Sequence, residues 1–130
     1  MNFKKTIVIA LGGSIVVPEA GKININFLKN FRKLILKFVK RGYRFIIVVG
    51  GGKTSRIYQG AASKIANVSF EDMDWLGILA TRINAHLLRI TFGNKAYNKI
   101  VTEATGPIKT RKHIIVAAGW KPGWSTDYDA

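Results

Sequence analysis

Two apolar runs, each followed by glycines, outline the first half of the fold. Residues 6–11 and 45–49 are almost continuously apolar, and glycine-rich sequences follow them, Gly-Gly-Ser at 12–14 and Gly-Gly-Gly at 50–52. Continuous apolar runs of this length are typical of parallel strands that are buried on both faces. The pattern therefore predicts two buried strands with glycine-rich loops at their carboxyl ends.

Other segments show the spacing of helices. Apolar residues recur every three or four positions from Asn26 to Val39, with lysines between them, and Gly42 follows where a left-handed residue can end a helix. Residues 53–65 predict a helix that starts directly on the second glycine loop. A longer helix is expected to begin at Asp72 or Asp74, with helix capping as the role of Asp72.

Residues 97–101 and 113–117 are two further strand candidates. The predicted order βαβααββ favours an α/β fold with an open, mainly parallel sheet. In such sheets ligands bind beyond the carboxyl ends of the strands, so the glycine loops are the first place to look for a site.

Composition narrows the class of protein. The chain has 130 residues and 48% hydrophobic content, which is enough for the core of one domain. It contains no cysteine, which excludes disulfides, thiolate zinc sites and a cysteine nucleophile. Its 21 basic and 7 acidic residues give a net charge of +14, which predicts an anionic partner such as a phosphate, a nucleotide, a nucleic acid or an acidic membrane face.

The apolar runs are far shorter than the roughly 20 residues that a membrane span needs. The amino terminus has too few apolar residues, and too many β-branched ones, for a signal peptide. We therefore expect a cytoplasmic protein with no membrane segment.

The triple glycine before Lys53 suits a phosphate. Glycine lets backbone N–H groups approach an anion closely, and the amino terminus of the following helix adds the positive end of its dipole. Arg56, one turn later, can reach back over the loop and bind a phosphate with two N–H groups. The alternative interpretations are a tight strand-to-helix turn and a solvated arginine, but two such loops after adjacent strands favour a ligand site.

The two common nucleotide-binding motifs do not fit. A Walker A loop needs a glycine where Ile47 stands, and the dinucleotide fingerprint needs glycine where Lys53 or Ser55 stands. No metal-ligand cluster, paired-carboxylate spacing or Ser-His-Asp arrangement occurs. We interpret His86 as a helix-face or subunit-contact residue and not as a ligand, and we interpret His113, just before an apolar strand, in the same way.

The end of the chain is rich in loop residues and acids. Asp127 lies beside a third glycine-containing loop, and Thr126 and Asp129 have the spacing of a capping box, which normally precedes a helix. The chain is therefore expected to be the front part of a longer fold. Trp120 and Trp124 flank this loop, either packing it over the sheet or stacking on a nucleobase.

Four blocks in this order resemble the amino acid kinase family, and most closely its archaeal-type uridylate (UMP) kinases. They are Leu-Gly-Gly-Ser at 11–14, Val-Val-Gly-Gly-Gly-Lys at 48–53 with Arg56, Asp-Trp-Leu-Gly-Ile-Leu-Ala-Thr-Arg-Ile-Asn-Ala at 74–85, and Pro-Gly-Trp-Ser-Thr-Asp at 122–127. The resemblance extends over almost the whole chain.

This resemblance implies a three-layer αβα sandwich with a mainly parallel sheet. Residues 1–130 would be the N-terminal, acceptor-binding part of the domain, incomplete at its carboxyl end. The implied reaction transfers the γ-phosphoryl group of ATP, with Mg²⁺, to UMP and gives UDP. A half-fold of this kind would leave apolar faces uncovered, which predicts a homo-oligomer.

The resemblance also assigns site residues. A catalytic group facing the transferred phosphoryl would contain Gly12, Gly13, Ser14 and Asp127. Residues that bind UMP or close the site around it would be Gly50, Gly51, Gly52, Arg56, Asp74, Ser125 and Thr126. No side chain of the protein is expected to bind a metal directly.

Two positions depart from the pattern of the family. Many members have a lysine where Ala10 stands, so the cation over the transferred phosphoryl would be Lys53 or Lys121, or would be missing. Trp120 replaces a small residue and could reshape the acceptor pocket. The alternative from another class is a non-catalytic basic half-fold that binds an anion or a nucleic acid.

Overall fold

The computed structural model describes residues 3–103 and 108–122. Its described elements are, in chain order, β1 (Lys5–Leu11), α1 (Gly13–Val16), α2 (Ile25–Val39), β2 (Tyr43–Val49), α3 (Gly52–Ile65), α4 (Phe70–Phe92), a 3₁₀ turn (Gly93–Lys95) and β3 (Ile114–Ala117).

The three described strands form one parallel sheet in the order β1-β2-β3. β1 and β2 pair along their whole length, from Lys5 opposite Tyr43 to Leu11 opposite Val49. β3 pairs with the other edge of β2, with Ile114 opposite Phe45. The predicted α/β class with a parallel sheet is confirmed, and all three strands end at the same edge.

The core lies between the sheet and helices α2 and α4. Phe45, Ile47 and Val49 point from β2 into a cluster that also contains Ile35 of α2 and Leu88 of α4. β3 is buried along its whole length. The strand in the middle of this sheet therefore holds both helices by apolar contact.

The prediction that β1 is buried on both faces is wrong for this chain. Burial alternates along the strand, and Val8 remains 48% exposed. β1 is an edge strand of the described sheet, and its second face has no described helix packed against it. An edge strand can keep an apolar sequence while only one side meets the core.

The helix ends follow the capping chemistry of the sequence. The side chain of Asn24 accepts a hydrogen bond from Phe27 N at 3.1 Å and caps α2. After α2, Gly42 adopts φ 91°, as its position predicted. α4 begins earlier than predicted, because Ser69 and not Asp72 is its cap: the Ser69 hydroxyl accepts from Asp72 N at 3.1 Å.

Residues 97–101 do not form the predicted strand. They touch β3 only through single bridges at their ends, between Ala96 and Ile114 and between Val101 and Ala117. Tyr97 N donates to Ile114 O and Val101 N to Val116 O, so four positions on one side match two on the other. The two extra residues interrupt the ladder, as in a bulge with more than one inserted residue.

Within the described ranges no helix is long and apolar enough to cross a membrane. The predicted capping box at Thr126 and Asp129, together with Trp124, lies outside the described residues.

Candidate functional site

Three loops leave the carboxyl edge of the sheet side by side. They follow Leu11, Val49 and Ala117, the last residues of β1, β2 and β3. The register sets Leu11 opposite Val49, so the first two loops start at the same height. The glycine loops that the sequence singled out therefore meet at the edge where open parallel sheets bind ligands.

The first two loops touch through their backbones. A Cβ atom on Gly13 would lie 2.1 Å from Gly52 N, and one on Gly52 would lie 2.2 Å from Gly13 O. A Cβ on Gly50 would meet Gly13 N at 2.8 Å. No side chain fits at these three positions, so glycine here allows the two loops to pack directly on each other.

Gly12 and Ser14 are different, because both are exposed. Gly12 has ordinary extended angles and a Cβ there would meet only the side chain of Ile15, at 3.8 Å. Gly13 starts α1, a single helical turn within the segment that was predicted to be a glycine-rich loop after β1. Gly12 and Ser14 thus lie on the open side of the contact between the loops.

Helix α3 starts on the second loop. Gly52 has φ 63° at its first position, and the Ser55 hydroxyl donates to Gly52 O at 2.9 Å. Lys53 N donates to Val17 O at 3.4 Å, which joins the helix start to the end of α1. Arg56 is exposed one turn further along α3. Arg56 thus lies on the helix that begins at the second glycine loop.

Asp74 lies in the second turn of α4 and is exposed. The carbonyl of its neighbour Met73 accepts a hydrogen bond from Gln59 Nε2 of α3 at 2.9 Å. A Cβ on Gly77 would lie 3.1 Å from the same Nε2 atom, so α3 and α4 approach closely here. Arg56 and Asp74 are thus carried by a helix pair whose relative position is held by a hydrogen bond and close packing.

Three polar side chains of α4 hold the loops and were missed as individual residues by the sequence analysis. Asn84 Nδ2 donates to Gly50 O at 2.9 Å and to Gly51 O at 3.2 Å. Thr81 Oγ1 accepts from Gly119 N at 2.8 Å. Arg82 donates to Gly119 O at 3.3 Å and to Trp120 O at 3.0 Å. The available signal was polar residues at 81, 82 and 84 within an apolar helix.

The third loop carries two candidate residues. The ammonium group of Lys121 lies 4.4 Å from the centre of the Trp120 ring, and the Arg82 guanidinium lies 5.9 Å from that of Trp75. Trp120 is half-buried beside the loop. The predicted residues Ser125, Thr126 and Asp127 lie outside the described residues.

Neither histidine lies in the glycine-loop site. His86 is exposed on α4, and His113 Nδ1 lies 2.8 Å from Tyr43 O just before β3. In residues 3–103 and 108–122, no three His, Asp or Glu side chains come together as a metal site.

The fold and the loops at the carboxyl edge of the sheet together define the class of protein. It is an open parallel α/β protein with its ligand site at the carboxyl ends of the strands. The profile of the amino acid kinase family matches residues 5–118, and the chain belongs to this family.

Particular relatives are uridylate kinases. The chain is 37% identical over 123 residues to uridylate kinase of Methanococcus maripaludis, covering 93% of this chain and 53% of the relative. It is 42% identical over 125 residues to that of Pyrococcus abyssi, covering 93% and 53%. The crystal structure of uridylate kinase from Archaeoglobus fulgidus superposes with a TM-score of 0.68 at 30% identity, covering 92% of this chain and 53% of the other. The chain spans about half the length of these relatives.

Proposed function

We propose that the chain is the acceptor-binding part of a uridylate kinase and that its glycine-loop edge binds UMP. The observation that carries the proposal is the backbone contact of Gly13 with Gly50 and Gly52. This contact joins two glycine-rich loops and a helix amino terminus at one sheet edge. The relatives named uridylate kinase support UMP as the acceptor.

The proposed reaction moves the γ-phosphoryl group of Mg-ATP to UMP, with Mg²⁺ arriving as part of the ATP complex. Phosphoryl transfer requires positioning and charge neutralisation more than a nucleophilic side chain. Backbone N–H groups at Gly12, Gly13 and Ser14 would face the transferred group, and Ser125, Thr126 and Asp127 would close the site between the two nucleotides. Lys53, half-buried at the start of α3, is a candidate for the cation missing at Ala10.

Residues 1–130 would form one structural unit of this domain. A homo-oligomer is also proposed, because apolar residues of α3 and α4 are exposed on the surface. The cytoplasmic location stays a prediction. The relatives named uridylate kinase favour a kinase over a non-catalytic half-fold that binds nucleic acid.

Two substitutions test the UMP site. Arg56→Ala should weaken UMP binding by about 1.5–3 kcal/mol, because a charge-assisted contact with the phosphate is lost.

Asp74→Asn should weaken UMP binding and leave inorganic phosphate binding nearly intact, because the carboxylate would accept hydrogen bonds from the ribose hydroxyls. Isothermal titration calorimetry with UMP and with phosphate measures both effects.

The matched control is Lys64→Ala, which removes an exposed positive charge from the last turn of the same helix as Arg56. It should leave UMP affinity unchanged. Equal affinities in the Arg56 variant and the parent would remove Arg56 from the site. Loss of both ligands in the Asp74 variant would assign Asp74 to folding.

A further inference from the structure

Asn84 is a buried polar residue on the core-facing side of α4. Asn84 is only 5% exposed, and its Nδ2 group donates hydrogen bonds to two carbonyls of the second glycine loop. Burying an amide is costly unless its hydrogen bonds are made. Here one nitrogen uses its two N–H groups on two successive peptides, Gly50–Gly51 and Gly51–Gly52.

The planarity of the peptide bond then fixes the direction of the N–H groups on the opposite side of the loop. In a planar trans peptide the C=O of one residue and the N–H of the next point in opposite directions, and no cis peptide occurs in the described chain. When Gly50 O and Gly51 O point at Asn84, the N–H groups of Gly51 and Gly52 must point away from α4.

These two N–H groups donate to no acceptor in the described part of the chain, whereas Gly50 N donates to Leu11 O at 3.0 Å and Lys53 N to Val17 O. Both groups stand at the start of α3, where the helix dipole favours an anion. The pair of orphan donors is thus oriented by a side chain that has no need to touch the anion itself.

We propose that Asn84 is a positioning residue for the acceptor phosphate. It holds the Gly50–Gly51 and Gly51–Gly52 peptides so that their N–H groups bind the phosphate of a nucleoside monophosphate. The inference rests on the proposed UMP site. It predicts that position 84 controls recognition of phosphate and has no part in recognition of the nucleoside.

Two substitutions at Asn84 test this role in different ways. Asn84→Asp keeps the shape of the side chain but sets a carboxylate oxygen against two carbonyl oxygens, so the peptides should turn. Asn84→Ala removes the donor without adding repulsion. Thr91→Val is the matched control, because its hydroxyl on the same helix bonds only Leu88 O in its own turn.

The test measures binding of UMP, inorganic phosphate and uridine to the four proteins by amide NMR titration, with thermal unfolding in parallel. UMP and phosphate affinities should fall roughly 10- to 100-fold in both Asn84 variants, the scale expected when a hydrogen bond from a backbone N–H to a charged phosphate is lost. Uridine affinity should be unchanged, and the Gly51 and Gly52 amide resonances should shift in the free protein. The control should match the parent.

The outcomes separate the two proposals. UMP binding by the parent with equal binding by both Asn84 variants would overturn the role of Asn84 and leave the UMP site standing. A parallel loss of uridine and UMP, or a lower melting temperature with unchanged affinity of the folded protein, would make Asn84 a structural residue only. Failure of the parent to bind UMP or phosphate would overturn both proposals.

Discussion

At the scale of single residues, four glycines of the first two loops are of two kinds. Gly13, Gly50 and Gly52 are required because one backbone lies against another, and any Cβ there would overlap main-chain atoms. Gly12 has free space and an ordinary backbone conformation, so packing does not require glycine at this position. If Gly12 is needed, the reason is the close approach of a ligand.

Gly13→Ala should destabilise the protein by at least about 1–3 kcal/mol, because the added methyl group overpacks a backbone contact. Gly12→Ala should change the free energy of unfolding by no more than about 1 kcal/mol in either direction, since alanine fits its angles. Urea unfolding curves of the two variants measure this difference. Identical midpoints would mean that the two loops do not pack as described.

The residues that orient the loops could not be identified from the sequence. The apolar stripe of α4 in the sequence, at positions 76, 79, 83, 87 and 90, does not include Thr81 or Asn84. The structure instead exposes Leu79, Ile83 and Ile90 and buries Thr81 and Asn84, and periodicity cannot tell which carbonyl or amide a side chain will meet. Their partners are 33 to 38 positions away in the chain. Gly13, Gly50 and Gly52 were predictable, because adjacent parallel strands bring their carboxyl ends together whatever the loops contain.

At the scale of elements, the predictions succeeded where glycine or a cap interrupts a clear apolar pattern. The predicted extents of α2, α3 and β2 agree closely with Ile25–Val39, Gly52–Ile65 and Tyr43–Val49. The first turn of α4 was missed because Ser69 caps the helix, whereas the sequence analysis placed its start at Asp72 or Asp74. Residues 97–101 failed as a strand because strand pairing depends on a partner's register, which the segment's own sequence does not contain.

The contribution of the Asn24 cap of α2 to stability can be tested. Asn24→Ala should cost about 0.5–2 kcal/mol of stability, because the N–H of Phe27 loses its acceptor at the start of the helix. Asn30→Ala, an exposed change inside the same helix, should be neutral or slightly stabilising because alanine favours helix. Thermal unfolding of both variants checks the prediction. A larger loss at Asn30 than at Asn24 would contradict it.

At the scale of the whole molecule, the surface of the α3–α4 pair is unusually apolar for a chain with a net charge of +14. Leu79 is 53% exposed and Ile83 64% exposed, and together with Tyr58 they line a groove of about 230 Å³. Contiguous apolar surface of this kind marks an interaction site. A second copy of the chain is the partner that we propose for this face.

Leu79→Glu with Ile83→Glu should therefore convert a dimer or larger assembly into a monomer of 14.4 kDa. The cause is the cost of burying two carboxylates in an apolar contact. Sedimentation velocity gives the mass of each species. Leu34→Glu, at an exposed apolar position of α2, should leave the assembly intact. A parent chain that is already monomeric would contradict this interface.

The matched lengths of β1 and β2 have a consequence for how this sequence can change over evolution. The strands are paired residue for residue until Leu11 meets Val49, and the contact of Gly13 with Gly52 depends on that alignment. One residue inserted within either strand would displace its loop by about 3.3 Å and turn its side chains to the other face. An insertion at the exposed turn of Gly21, where a single bridge joins Glu19 and Lys22, would disturb neither strand. Differences in length among relatives should therefore collect at Gly21, while the spacing from Lys5 to Gly13 stays constant.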